Sequence, residues 1–194
     1  MNYSVKKFKI ELQKIVDSLE WFHFDKCPNC GAPLKASILD GNEGVVCSKC
    51  KEGIMWGDFF PEECEKYQYL FLDAMRESLE RVVDVTYDFC SCYLRAYTSL
   101  EVFLSKVVEY QFKKRRADDK AIQSRLMRTN LNSYKKLLKE VNIEIEEKAW
   151  STLWKVAEVR NKIVHKGFLP SEEQILKAFK RISRIFIILS GYSI

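Results

Sequence analysis

Four cysteines occur in two pairs whose spacing is typical of metal ligands. The pairs lie in the segments CPNCG and CSKCK, and 16 residues separate the first pair from the second. Each Cys-x-x-Cys turn lets two thiolates reach one ion, and two such turns complete a closed tetrahedral shell. The sequence therefore predicts a structural Zn²⁺ site without an open position, and its ligands are Cys27, Cys30, Cys47 and Cys50.

The other candidate metal ligands have weaker spacing. His23 lies just before the first pair and is a spare ligand, although its aromatic neighbours favour a packed position. Cys64, Cys90 and Cys92 fall in apolar stretches with helical periodicity, and we expect them in the core. An odd total of seven cysteines, four of them in metal-type pairs, argues against a disulfide framework.

A second group of polar residues lies near the C-terminus, in the segment VRNKIVHKG. Arg160, Asn161 and His165 fall within six residues, and Arg160 continues the apolar stripe of a predicted helix. A guanidinium on an inward face needs an anion, which is either a carboxylate or a bound phosphate. On a straight helix Arg160 and His165 would lie about 140° apart. They reach one target only if Gly167 ends the helix and the chain turns His165 back.

A basic segment precedes this group. Residues 113–139 contain ten Lys and Arg against two Asp, although the net charge of the whole chain is only +5. Such a local excess attracts phosphate and predicts an RNA-binding surface, while a solvated helix face is the simpler interpretation. The candidate RNA-binding residues are Lys113, Lys114, Arg115, Arg116, Arg125 and Arg128.

Helices must position most of these groups. Hydrophobic residues make up 47% of the 194 residues, whereas there are only 7 Gly and 4 Pro. Apolar periodicity predicts an amphipathic helix over 4–20. Between the cysteine pairs, a short apolar run, an Asp40-Gly41 turn signal and two valines predict a hairpin.

After this hairpin the sequence predicts a helical bundle. A helix begins near DFFPEEC, and no Gly or Pro interrupts 62–114, so we expect one long helix or two helices separated near 84–88. The second half of this segment is apolar around most of the helix circumference, so it should lie at the centre of the bundle. The later helices are expected over 118–141 with an interruption near RTNLN, over about 144–164, and from a Ser171–Gln174 capping box to Gly191.

The predicted fold is mainly α, a bundle of four to five helices with a small zinc-ribbon module that contains the four paired cysteines. The predicted divisions are an N-terminal helix at 1–22, a zinc ribbon at 23–58 and the bundle at 59–194. Charged residues within the first twenty positions are unlike a secretory signal, and no run of eighteen apolar residues occurs. We therefore expect a soluble cytoplasmic protein without a membrane segment.

The segment RNKIVH resembles the Arg-x4–6-His motif of the HEPN superfamily, in the common form with a polar residue after Arg. A ribbon directly before a helical bundle is also similar to an arrangement in that family. The resemblance covers 59–194 as a fold pattern, and its specific part is short. It implies a homodimer whose two motifs meet in a cleft at the interface. Many members are metal-independent endoribonucleases of toxin, antiviral or RNA-processing systems, and others are binding modules without activity.

Carried over to this chain, the resemblance gives each motif residue a role. Arg160 would stabilise the charged phosphorane, His165 would act in proton transfer, and Asn161 would orient the phosphate or the histidine. Members paired with nucleotidyltransferase antitoxins often have Tyr two residues after the His, where this chain has Gly167. Control through modification of such a Tyr is therefore not implied. The implied partners are RNA, a second copy of the chain and a partner or antitoxin protein.

The chemistry of these residues suits RNA cleavage independently of the resemblance. The 2′-hydroxyl is an internal nucleophile, so the reaction needs a proton acceptor, a proton donor and a cation near the nonbridging oxygens. Histidine can supply one proton role, and arginine supplies a fixed bidentate charge. Three interpretations stay open: an RNA-cleaving dimer, a HEPN-like module that binds RNA, nucleotide or protein without turnover, and a nucleic-acid-binding regulator that uses the ribbon and the basic helix.

Overall fold

The computed structural model describes residues 3–19, 21, 26–27, 29–34, 39, 44–55, 65–115, 118–126 and 130–192. These residues form seven α-helices and one small sheet, which confirms the predicted mainly α fold. The helix count exceeds the expected four to five because the N-terminal helix joins the bundle and the basic segment is divided. The elements are α1 (Tyr3–Leu19), β1 (Gly44–Val46), β2 (Gly53–Met55), α2 (Lys66–Val83), α3 (Cys90–Lys114), α4 (Asp119–Leu126), α5 (Leu131–Glu140), α6 (Glu147–Lys166), α7 (Glu172–Leu189) and a 3₁₀ turn (Ser190–Tyr192).

The N-terminal helix is part of the main hydrophobic core. It packs against α2 and α7, and Trp21, just after its end, contacts the ring of Phe186 on α7. Its buried residues are those of the stripe that the periodicity predicts. They are Val5, Phe8, Leu12, Ile15 and Leu19.

Two helices, rather than one, follow the ribbon. The chain leaves α2 at Asp84 and re-enters a helix at Cys90, whose backbone N–H donates to the Asp88 carboxylate at 3.0 Å. In the loop between them Val85 and Tyr87 have positive φ, +59° and +48°. A left-handed backbone is unfavourable for such residues, so the helix cannot continue through them.

The apolar helix α3 is the centre of the bundle, as its composition predicts. It contacts α2, α4, α5, α6 and α7. Its buried Phe103 lies in an aromatic cluster with Tyr67 of α2 and Phe186 of α7, at centroid distances of 4.7 and 4.8 Å. Side chains from α3 therefore contact most elements of the fold. Cys92 is buried and Cys90 is half-buried on this helix, as expected.

The remaining helix ends follow local signals. Asn130 caps α5 by accepting a hydrogen bond from the Ser133 N–H at 3.0 Å, which places the expected interruption just before α5. The capping box of Ser171 and Gln174 is confirmed at the start of α7. The end of α7 differs from the prediction, because the helix stops at Leu189 and Gly191 lies in the following 3₁₀ turn. No described helix combines the length and the apolar character that a membrane span requires.

The sheet of the ribbon is not the predicted hairpin. β1 and β2 are antiparallel with Val45 opposite Ile54, so β1 lies before the second cysteine pair and β2 lies after it, and the two strands pair across that turn. An isolated bridge between Lys26 and Pro33 flanks the first pair in the same way. In both cases the backbone segments before and after a Cys-x-x-Cys turn pair with each other, and this pairing holds the turn in place. The Asp40-Gly41 turn signal and the DFFPEEC segment lie outside the described residues.

Candidate functional site

The four predicted metal ligands come together in the ribbon. Their sulfur atoms all lie within 4.8 Å of one another, and the Sγ–Sγ distances are 3.8 Å for Cys27–Cys50 and 3.7 Å for Cys30–Cys47. Four sulfurs at about 2.3 Å from a tetrahedral ion would be separated by about 3.8 Å, whereas a disulfide needs about 2.05 Å. The cluster therefore fits a metal ion and does not fit disulfides. His23 and Cys64 lie outside the described residues.

The two cysteine turns have matching backbone geometry. In each, the N–H four residues after the first cysteine donates to the carbonyl oxygen of that cysteine. The distances are 2.8 Å from Gly31 to Cys27 and 3.0 Å from Lys51 to Cys47. The donor residue has positive φ in both turns, +67° at Gly31 and +62° at Lys51. This bend brings the two thiols of each pair to the same side, where they can share one ion.

The Cys47 and Cys50 thiols do not ionise equally without a cation. Backbone N–H groups of Cys50 and Lys49 lower the pKa of Cys47 to about 6. The Glu52 N–H lowers the pKa of Cys50, but burial and the other three thiols outweigh it and raise this pKa to about 12. A bound cation would stabilise all four thiolates together, because its charge offsets their repulsion.

His165 does not turn back towards Arg160. Helix α6 continues through His165 to Lys166, and Gly167 forms the left-handed C-cap, with its N–H 3.2 Å from the Ile163 carbonyl oxygen. The expected helix end is confirmed, but the expected change in the direction of His165 is wrong. Because the helix is regular, the two side chains leave its axis about 140° apart. His165 is exposed and shares a face with Asn161, four residues earlier.

Arg160 is half-buried on the side of α6 that faces the bundle. Its Cζ lies 5.6 Å from the centroid of the Tyr97 ring on α3, and its Nη1 donates to Asn161 Oδ1 at 3.1 Å. Within the described part of the chain it forms no ion pair with a carboxylate. The guanidinium is thus oriented by an aromatic ring and an amide, and its remaining N–H donors are available for an anion.

Two residues of this region were missed by the sequence analysis. Glu101 lies one turn after Tyr97 on α3 and is half-buried; burial raises the pKa of its carboxyl, and the Arg160 charge opposes this increase. Burial also raises the pKa of Tyr97 to about 12, so its phenol stays neutral near pH 7. The sequence does show a carboxylate one turn after a tyrosine in a largely apolar helix. It does not show that this helix packs these residues towards Arg160.

Nearby carboxylates offset more of the positive charge of the basic segment in the folded structure than the sequence count suggests. The Glu140 carboxylate forms an ion pair with Arg125 at 2.7 Å. The backbone oxygen of Glu140 accepts a hydrogen bond from Arg115 at 2.9 Å. Lys113 pairs with Glu109 at 2.7 Å. These acids lie just outside 113–139, so the sequence count overstated the local charge. Lys114, Lys136 and Lys139 form no ion pair within the described structure, and Arg116 and Arg128 lie outside it.

Comparison of the chain with family models, with curated proteins and with solved structures finds no match.

Proposed function

We propose that the chain is a metal-independent endoribonuclease of the HEPN type that acts as a homodimer, with Arg160, Asn161 and His165 at its reaction site. The observation that carries the proposal is the environment of Arg160. A half-buried guanidinium without an ion pair among the described residues is costly unless an anion completes its hydrogen bonds. A phosphate of RNA is such an anion, and it would accept the N–H donors that Tyr97 and Asn161 leave free.

The proposed reaction is attack of the 2′-hydroxyl on the adjacent phosphorus. Arg160 stabilises the negative charge that develops on the nonbridging oxygens. Asn161 holds the guanidinium through its Oδ1 contact. His165 transfers a proton, since its side chain is exposed and an imidazole can both donate and accept one. The products are a 2′,3′-cyclic phosphate and a 5′-hydroxyl.

The geometry of α6 supports the proposed dimer. One helix directs Arg160 and His165 about 140° apart, so a single copy does not present both to one phosphate. A second copy related by twofold symmetry would bring its own His165 to the Arg160 of the first. Exposed apolar side chains near the motif, Trp154 and Val164, support an interface on this part of α6.

We propose that the metal in the four-cysteine cluster is Zn²⁺ and that its role is structural. Thiolates and tetrahedral separations suit zinc, and four protein sulfurs leave no position for a substrate. Iron has similar preferences for four sulfurs, so elemental analysis and the visible absorption of the purified protein distinguish the two. One zinc per chain and a colourless protein are the expected results.

A binding module without turnover is the second candidate function. It is favoured by the exposed position of His165, which has no hydrogen-bond partner within the described residues to fix its tautomer. In this case Arg160 would bind the phosphate of RNA or of a nucleotide, or an acidic group of a partner protein, without cleavage. Such a module would bind RNA and lose affinity on Arg160→Ala, yet give no products.

The deciding experiment is a cleavage assay on mixed RNA with and without EDTA, alongside Arg160→Ala and His165→Ala. Wild-type protein should give 2′,3′-cyclic phosphate ends, cut no DNA and keep its initial rate in EDTA. Each substitution should reduce the rate by about 10²–10³, because transition-state stabilisation or proton transfer is lost. Light scattering should give the mass of a dimer. A folded dimer that cuts no RNA would contradict the enzymatic proposal.

A further inference from the structure

We propose that Glu101 accepts the proton of the attacking 2′-hydroxyl at the site where Arg160 binds the scissile phosphate. This inference rests on the RNA-cleaving function proposed above and assigns one of its two proton-transfer roles. It places the acceptor within the same copy of the chain as Arg160. The exposed His165 of a second copy is then needed only as the proton donor.

The first support is that Glu101 and Arg160 are neighbours that do not bond to each other. Glu101 lies one turn after Tyr97 on α3, and Arg160 lies against the Tyr97 ring, with 5.6 Å between the Arg160 Cζ and the ring centroid. The Arg160 charge also opposes the effect of burial on the pKa of the Glu101 carboxyl. Within the described structure, however, the two form neither an ion pair nor a hydrogen bond. Arg160 therefore keeps N–H donors and Glu101 keeps oxygen acceptors, on α6 and α3 respectively. A ribonucleotide needs this combination, because its phosphate accepts hydrogen bonds while its adjacent 2′-hydroxyl donates one.

The second support is the accessibility of the Glu101 carboxylate. Glu101 is half-buried and has no hydrogen bond among the described residues. Among the described residues, Glu77 alone has a side-chain oxygen that is both sealed from solvent and without a hydrogen bond. The oxygens of Glu101 also lack hydrogen bonds within this part of the chain, so they must reach solvent. A substrate can therefore contact them. Partial burial also makes a carboxylate a stronger proton acceptor than it is in water.

The third support is that the other groups around Arg160 suit this role less well. Tyr97 lies against the guanidinium, but with a pKa of about 12 its phenol is protonated near neutral pH and cannot accept a proton. Asn161 has an amide, which is not a base. His165 of the same copy leaves α6 about 140° from Arg160. Glu101 is a carboxylate on α3 that is close enough to Arg160 for the guanidinium charge to act on it.

The proposed step conserves atoms and charge. As the 2′-oxygen forms its bond to phosphorus, its proton moves to a Glu101 carboxylate oxygen. The bond from phosphorus to the 5′-oxygen breaks, and this oxygen takes a proton from His165 of the second copy or from water. Arg160 offsets the charge on the phosphorane between these events. Glu101 later returns its proton to solvent, which restores the carboxylate.

The test compares single-turnover cleavage at saturating protein by wild type, Glu101→Gln, Glu101→Asp and Glu109→Gln. Glu109 is a matched control, because it lies two turns later on α3 and pairs with Lys113 at 2.7 Å. Glu101→Gln should lower the cleavage rate by about 10²–10⁴, the usual contribution of proton transfer. Its affinity for 2′-O-methyl RNA, which cannot be cleaved, should stay unchanged. Glu101→Asp should keep part of the rate because it keeps a carboxylate, and Glu109→Gln should behave like wild type.

Each other outcome has a definite meaning. If Glu101→Gln cleaves like wild type, the assignment of Glu101 is overturned while RNA cleavage itself stands. If it binds RNA more tightly and still cleaves, Glu101 is only a counter-charge for Arg160, which also overturns the assignment. If wild type cuts no RNA, both proposals fall. Should Glu101→Gln fail to fold, Glu101→Asp decides: slower cleavage at unchanged RNA affinity supports the assignment, and an unchanged rate refutes it.

Discussion

Arg160 owes its orientation to side chains on two helices. Tyr97 of α3 provides an aromatic surface below the guanidinium, and Asn161 of α6 accepts one of its N–H groups. Tyr97 and Glu101 are far from Arg160 in sequence, so no local pattern indicates that Tyr97 contacts Arg160 or that Glu101 lies close enough to be affected by its charge. The motif was recognisable from spacing alone, but its surroundings depend on how α6 packs against α3. For this reason the sequence predicted Arg160 and missed Glu101.

Gly167 gives a residue-level test of the end of α6. Its φ is +61°, and a Cβ built there would meet no atom within 4 Å, so only the backbone conformation disfavours a larger residue. Gly167→Ala should destabilise the protein by about 1–2 kcal/mol, the cost of a left-handed L-residue. Urea unfolding measures the change.

Gly191→Ala is the matched control for this substitution. Gly191 also has open space around its Cβ position, but its φ lies outside the left-handed region. It should therefore leave the urea midpoint nearly unchanged. Equal destabilisation by the two alanines would mean that Gly167 is not the conformational constraint that ends α6.

At the scale of elements, α2 and α3 are joined by a network of charges around Glu77. The Glu77 carboxylate accepts hydrogen bonds from Ser91 of α3 and from Arg81, the latter at 3.2 Å. Its other oxygen lies 3.0 Å from Arg95 Nη1, although their alignment is not that of a hydrogen bond. Arg95 also pairs with Asp73 of α2. The Glu77 side chain is only 16% exposed, whereas Arg81, Arg95 and Asp73 are about a third exposed, so the network should contribute somewhat more than a fully exposed ion pair.

The network predicts a pH-dependent stability difference. Burial alone would raise the pKa of Glu77, but the Ser91 and Arg81 hydrogen bonds and the Arg95 charge lower it below the ordinary value for a glutamate. A lowered pKa stabilises the fold above the unfolded-state pKa, and this stabilisation is lost as pH falls through the folded-state pKa. Glu77→Gln should cost about 1–3 kcal/mol at pH 7 and progressively less below about pH 4.

Unfolding of Glu77→Gln and wild type between pH 7 and pH 3 measures this difference. Glu80→Gln is the control, since Glu80 lies on the same helix but is exposed and forms no ion pair within the described residues. A difference between Glu77→Gln and wild type that is independent of pH would show that packing, rather than charge, holds this contact.

Helix positions were predictable to the extent that they depend on local sequence. The stripe of α1, the apolar surface of α3 and the capping box of α7 each act within a few residues, and each is confirmed. Features that depend on pairing between distant segments were not predicted. The strands flank the second cysteine pair, because Val45 pairs with Ile54 across that turn, whereas the sequence favoured the Asp40-Gly41 turn. The neutralisation of positive charge in the basic segment likewise depends on Glu140 and Glu109, which lie outside this segment.

At the scale of the whole molecule, the ribbon is an insertion between two helices of one core. α1 precedes it and α2 follows it, and both helices pack together in the main hydrophobic cluster. Leu39 is buried in that cluster, and Val45 contacts both it and the small cluster around the cysteines. The small cluster itself has few apolar residues, so we expect the ribbon to depend on a bound metal far more than the bundle does.

Removal of the metal should therefore unfold the ribbon and leave the bundle intact. Structural zinc contributes roughly 10–16 kcal/mol in small zinc domains, which the ribbon cannot replace with its own core. The double substitution Cys27→Ser with Cys50→Ser should abolish metal binding while most of the helical circular dichroism remains, because the helices pack through residues outside the small cluster. Cys90→Ser, which changes a half-buried cysteine of α3, should retain one metal per chain. Loss of the helical signal together with the metal would show that the bundle requires the ribbon, contrary to this prediction.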